Sequence, residues 1–108
     1  MDVTLLIGAA PFRLGREDAR WLEQAIRRAC ADASGQPLAL DGYIRASLQL
    51  ANVLCEDLEL DESPEPIELG WSHVDGLLLF VLREQDVKRS AALRTLYDGL
   101  VRFRGDAL

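Results

Sequence analysis

The chain has 108 residues, of which 49% are hydrophobic and 28% are charged, and its net charge at neutral pH is −6. This composition is typical of one globular domain with its own core, here residues 1–108, and it excludes a disordered or fibrous protein. The longest apolar run, residues 77 to 82, is far shorter than the roughly 20 residues of a membrane span. No basic segment marks a signal peptide, so we expect a cytoplasmic protein without membrane association.

The charges are unevenly distributed along the chain. No basic residue lies between Arg45 and Arg83, whereas residues 56 to 68 hold seven carboxylates. Because nucleic-acid-binding domains usually carry a basic excess, the total charge argues against that class. The carboxylates are either a solvated linker or a patch that steers a basic partner. The predicted acidic patch consists of Glu56, Asp57, Glu59, Asp61 and Glu62.

A strand and a helix are predicted first. Residues 2 to 8 are rich in strand-forming types, which predicts a strand at about 3 to 7, ended by the following Ala-Ala-Pro-Phe stretch. The next segment predicts a helix over about 16 to 34, because its apolar residues recur at spacings of three and four. Gly15 suits its N-cap and Gly35 its C-terminal end.

A second helix follows at once. Pro37 suits a first helical turn, and the apolar stripe continues to about Leu58. Leu50 and Val53 lie off that stripe, which is typical of a helix that is buried on two sides or joins an interface.

The apolar stretch after residue 70 fits a helix or a strand by periodicity alone. A comparison with the first helix favours a helix. Pro11, Leu14 and Gly15 recur 55 residues later as Pro66, Leu69 and Gly70, and the apolar positions that follow also coincide. This repeat predicts a short strand near 66 to 69, a third helix at about 71 to 84 and a fourth at about 88 to 104.

The predicted fold is therefore mainly α, within the α+β class. It has four helices in two helical hairpins related by a pseudo-twofold, and two short strands that pair as a small β element. The repeat-like halves cover about 1–56 and 57–108.

The two copies differ on their outer sides, and this difference predicts an interface. The first helix carries charged residues there, which we expect to contact water: Arg16, Arg20, Glu23, Arg27 and Arg28. The third helix is apolar at the matching positions, and a chain of this size has little room to enclose a helix on all sides. We therefore predict a homodimer. Its interface residues are Leu50, Val53, Trp71, Leu78, Leu79 and Leu82.

No catalytic residue is predicted. Ser72, His73 and Asp75 are the residue types of a catalytic triad, but at this spacing in a first helical turn they point in different directions. We expect His73 to face solvent or to help the third helix start.

No metal or cofactor is predicted either. Cys30 and Cys55 would lie about 20 Å apart in a helical hairpin, too far for a disulfide, so we expect buried free thiols. The carboxylates after Asp57 are spaced like the start of a calcium-binding loop, but Glu62 stands where that loop needs glycine. A glycine-rich phosphate loop is missing as well.

The predicted function is that of an interaction or regulatory protein, not an enzyme, which binds a protein partner through its surface. One alternative is a nucleic-acid-associated regulator that uses arginine-rich helix faces. A second alternative is a small-molecule-binding or enzymatic domain, which a deep apolar pocket with convergent polar groups would support. The candidate basic faces contain Arg16, Arg20, Arg27, Lys88, Arg89, Arg94, Arg102 and Arg104.

Overall fold

The computed structural model describes residues 2–32, 41–60 and 65–106. It is mainly helical, as predicted, and within these ranges it has four α-helices and one three-stranded sheet. The elements are β1 (Val3–Ile7), β2 (Ala10–Leu14), α1 (Arg16–Asp32), α2 (Asp41–Leu58), β3 (Ile67–Leu69), α3 (Trp71–Gly76) and α4 (Ala91–Asp106). A π-helical segment, Leu77–Val81, continues α3, and a short 3-10 helix, Val87–Arg89, precedes α4.

β1 is the central strand of the sheet, whose order is β2-β1-β3. β2 pairs with β1 antiparallel, and β3 pairs with it parallel, with Leu5 opposite Ile67. The two predicted strands and their pairing are thus confirmed. Because alternate residues of a strand face opposite sides, Val3, Leu5 and Ile7 all point into the core.

β1 ends at Ile7 as predicted, but β2 was not predicted: the chain turns back in a two-residue hairpin, and most of the Ala-Ala-Pro-Phe stretch belongs to β2. Gly8 has a φ of +62°, a left-handed conformation that glycine adopts without strain and that suits the first position of such a turn. Pro11 lies on an edge strand, where the missing N–H is tolerated. In the sequence alone, Gly8 and Pro11 indicate the end of a strand, but in the structure both are compatible with a hairpin.

α1 and α2 pack against each other, which is compatible with the predicted first hairpin. α1 begins at Arg16 and α2 ends at Leu58, both as predicted. The predicted ends at Gly35 and Pro37 lie outside the described residues. The contact buries apolar side chains of both helices, including Leu22 and Leu54.

Glu23 of α1 is not on the water-facing side, contrary to prediction. It is only 6% exposed, because it lies between two arginines of its own helix. Its carboxylate is 2.8 Å from Nε of Arg27 and 3.6 Å from a guanidinium nitrogen of Arg20. Arg27 also donates a 3.1 Å hydrogen bond to Asn52 of α2, so the charged group links the two helices.

The second pair of helices differs from the predicted hairpin. α3 is short and ends at Gly76. The π-helical segment continues it to Val81, and the backbone at Leu82 has a strand-like conformation. α3 packs mainly against α2, whereas α4 packs against the β1–β2 hairpin. The pseudo-twofold relation between two hairpins therefore stays a prediction.

Gly76 sets how closely α3 approaches α2. A Cβ atom at this position would meet the hydroxyl of Ser47 and would lie 3.0 Å from the backbone oxygen of Tyr43. The π-helical segment that follows points Leu77 and Val81 into the core and leaves Leu79 50% exposed. No helix of the described ranges is long and apolar enough to cross a bilayer.

Candidate functional site

The predicted interface residues lie in different parts of the molecule. Leu50 and Leu82 are buried in the core of the single chain, so they contribute to its packing and are not available on its surface. Sequence periodicity does not reveal this, because it places residues around a helix without showing which neighbours cover each side.

The other four predicted interface residues retain some exposure. Val53 lines a groove between α2 and β3, whereas Leu79 lines a separate groove between α1 and the π-helical segment. Trp71 is 50% exposed at the start of α3, and Leu78 is half-buried. Only Trp71 adjoins a larger exposed apolar area, which is described below.

The acidic patch is partly described. Glu56 and Glu59 are exposed and Asp57 is half-buried at the C-terminal end of α2, while Asp61 and Glu62 lie outside the described residues. Burial, and secondly the charge of Glu56, raises the pKa of Asp57. The last turn of α2 has no basic residue, so the negative end of the helix dipole adds to these charges. Within the described ranges no three metal-ligating side chains converge.

His73 helps α3 to start, which confirms one of the two roles expected for it. The backbone N–H of Gly70 donates a 3.0 Å hydrogen bond to Nδ1 of His73, which satisfies a donor at the helix start. Asp75 lies 3.6 Å from the guanidinium of Arg104 on α4. Burial lowers the pKa of His73, which keeps Nδ1 available as an acceptor.

Acid is expected to weaken the protein through His73. Because its pKa is lowered in the folded chain, the unfolded chain takes up the proton first, below the ordinary pKa of about 6.5. The stability is therefore greatest above that pH and declines as the pH falls below it, until His73 of the folded chain takes up the proton at its own lowered pKa and the hydrogen bond to Gly70 is lost. Thermal unfolding followed by circular dichroism should show a larger fall in Tm below about pH 6.5 for the wild type than for His73→Gln.

Glutamine is the matched control, because at the third helical position it accepts the same backbone hydrogen bond and does not titrate. Parallel curves of Tm against pH for the two proteins would contradict the role of His73.

Both cysteines are free thiols, but Cys55 is only partly buried, contrary to the expectation that both thiols are buried. Cys30 is buried, and its Sγ lies 3.8 Å from the backbone oxygen of Ile44. Burial raises the pKa of the Cys30 thiol, which keeps it protonated and unreactive at neutral pH.

An open, largely apolar groove of about 360 Å³ lies between α4 and the β1–β2 hairpin. The ring of Phe12 rests on Gly99, where a Cβ atom would lie 2.6 Å from the ring carbon Cε1. Glycine costs about 1 kcal/mol against alanine in a helix interior, so its presence here makes room for the ring. The groove is lined by Ile7, Ala10, Phe12, Thr95, Asp98, Gly99, Arg102 and Phe103.

Trp71 extends this apolar region beyond the groove. The rings of Trp71 and Phe103 pack with their centroids 4.6 Å apart and their planes tilted by 32°. We call Phe12, Trp71 and Phe103 the aromatic surface. Trp71 is half-exposed, whereas Phe12 and Phe103 are partly buried against the core. A large aromatic side chain that stays exposed beside a groove, as Trp71 does, is typical of binding hot spots.

Sequence reasoning identified Trp71 but missed Phe12 and Phe103. Phe12 was missed because β2 was not predicted, and Phe103 because it lies beside the buried stripe of the last helix. One available signal was Gly99, since a glycine inside a helical pattern often marks a close approach by another group.

A second groove, of about 400 Å³, lies between α1 and the π-helical segment. Its wall includes Arg28 and Arg83, but also Asp32 and Asp86, so the arginines do not form a purely positive site. The guanidinium of Arg89 lies 5.1 Å above the ring of Trp21 on the same side of the molecule. Mixed charge of this kind does not favour a phosphate backbone.

No protein-family model matches the chain. No curated protein and no solved structure is significantly similar to it.

Proposed function

We propose that the protein is a protein-binding module that acts as a homodimer in the cytoplasm and contacts its partner through the aromatic surface. The observation that carries this proposal is the half-exposed ring of Trp71, packed on Phe103 beside an open apolar groove. The exposed half of that side chain offers roughly 100 Å² of apolar area, and covering it would contribute about 2 kcal/mol.

The charge distribution supports a protein partner over a nucleic acid. Two arginines of α1 pair with Glu23, and Arg104 of α4 lies close to Asp75, which neutralises part of the basic helix faces. The acidic patch is proposed to steer a basic region of the partner by its field.

We also infer that the chain contains two copies of a strand–glycine–helix unit. β2 leads through Gly15 into α1, and β3 leads through Gly70 into α3. In both copies the glycine oxygen accepts a hydrogen bond from the residue four positions later, Ala19 at 2.9 Å and Val74 at 3.1 Å. The matching burial of Leu22 and Leu77 further supports the duplication, and with it the proposed pseudo-twofold.

Photo-cross-linking in living cells of the native host tests the proposed function. In the test protein, a photoreactive phenylalanine analogue replaces Thr95, which lines the groove beside the aromatic surface. In the control protein, the same analogue replaces Gln49, an exposed residue of the groove beside β3. We expect a protein adduct from position 95 and little from position 49. Adding Trp71→Ser should lower the yield of the position-95 adduct by at least about tenfold, because the variant loses about 2 kcal/mol of binding free energy.

Thermal unfolding of each variant shows whether its fold is intact. Adduct formation that Trp71→Ser leaves unchanged, or adducts at position 49 alone, would contradict the proposal.

A further inference from the structure

We propose that the groove beside α4 is occupied by a second copy of this chain, with the two α4 helices crossing in antiparallel directions. This inference rests on the proposed function: it identifies a second copy of the chain as the partner at the aromatic surface and gives the relative orientation of the two copies. It depends on two exposed residues of α4 that line the groove, Asp98 and Arg102.

Asp98 and Arg102 have the spacing and order of an ion pair within one helix. Asp41 and Arg45 on α2 share that spacing and order, and they form such a pair at 2.7 Å. Within the described part of the chain, however, no ion pair joins Asp98 and Arg102 or links either of them to another residue. Both charges on α4 are exposed and line the groove, so an external partner can reach them.

A second copy supplies the complementary charges by symmetry. In a twofold contact, if Asp98 of one copy faces the partner's Arg102, then the partner's Asp98 faces Arg102 of the first copy. Two antiparallel α4 helices that cross at the level of Leu100 satisfy both pairs at once. A parallel crossing would instead place like charges together, which disfavours it.

The outward direction of these charges follows from the packing of α4. Leu93, Leu96 and Leu100 are fully buried on the side that faces the core, and the exposed charges occupy the opposite side. Exposed ion pairs contribute little each, so in this dimer they select the antiparallel orientation. The affinity comes from covering the aromatic surface, which adjoins the same groove.

A charge-reversal series measured by sedimentation velocity and light scattering tests the inference. We expect the wild type to dimerise with rising concentration, and we expect Asp98→Arg and Arg102→Asp to weaken dimerisation by about tenfold or more, because each creates two like-charge contacts. An equimolar mixture of the two variants should recover a heterodimer, and the double variant D98R/R102D should recover a homodimer. Glu84→Arg, which makes the same charge change on an exposed turn outside the groove, should dimerise like the wild type.

Each failure has a distinct meaning. A wild type that stays monomeric at every concentration overturns the inference and the homodimer in the proposed function, while a cross-link from position 95 to a different protein would still support the role of the aromatic surface in binding a protein partner. The antiparallel arrangement is overturned if the charge-reversal variants dimerise like the wild type. It is also overturned if the mixture of Asp98→Arg and Arg102→Asp does not form a heterodimer.

Discussion

Replacing Leu77 with alanine is expected to lower the free energy of unfolding by about 3 kcal/mol. Leu77 is fully buried where α3 passes into the π-helical segment, and it belongs to the same core as β1 and α1. Truncation removes apolar contacts and leaves a cavity, which the surrounding helices and sheet fill only in part. Urea denaturation followed by circular dichroism measures the loss.

Leu79→Ala is the matched control, because it makes the same chemical change in the same segment at a side chain that is 50% exposed. We expect it to cost less than about 1 kcal/mol. Equal losses for the two variants would contradict the arrangement of the segment, in which one leucine faces the core and the other faces solvent.

Replacing Gly76 with alanine is expected to destabilise the protein by about 2 to 3 kcal/mol, although alanine is intrinsically the better helix former by about 1 kcal/mol. The new Cβ atom would meet the hydroxyl of Ser47 and would lie 3.0 Å from the backbone oxygen of Tyr43. A side chain can rotate away, but the backbone of α2 moves only if the packed helices separate. Chemical denaturation of the variant and the wild type measures the difference.

Ser47→Ala separates the two contacts. The Ser47 hydroxyl is buried and has no hydrogen-bond partner among the described residues, so its removal alone is expected to be neutral or stabilising by up to about 1 kcal/mol. In the double variant G76A/S47A we expect part of the loss to be recovered, while the part caused by Tyr43 remains. Strictly additive effects would contradict a direct contact between residues 47 and 76.

Much of the first half of the fold was predictable. The bounds of β1, the start of α1 and the end of α2 agree with the sequence prediction, because strand-forming types and apolar spacing are signals that each segment carries within itself. β3 was predictable from its likeness to the segment before Gly15, and the structure places both segments beside β1.

The later elements were less predictable, for identifiable reasons. The third helix is interrupted after Gly76, where close packing against α2 and a change to π-helical geometry depend on a contact with a distant part of the chain. α4 begins three residues later than predicted, at Ala91, because a 3-10 helix occupies the residues just before it. Ser90 caps the start of α4, since its hydroxyl accepts from the N–H of Leu93 and donates to Asp18 of α1 at 2.7 Å.

Periodicity, capping residues and the repeated Pro-x-x-Leu-Gly pattern were sufficient to establish a mainly helical chain with paired short strands, because these signals act over a few neighbouring residues. Long-range packing decided which apolar residues stay exposed. It buried Leu50 and Leu82, placed Phe12 on Gly99, and left Trp71 half-exposed on Phe103. The composition of a segment does not report which distant element covers it, so the aromatic surface becomes visible only once the β1–β2 hairpin and α4 have come together.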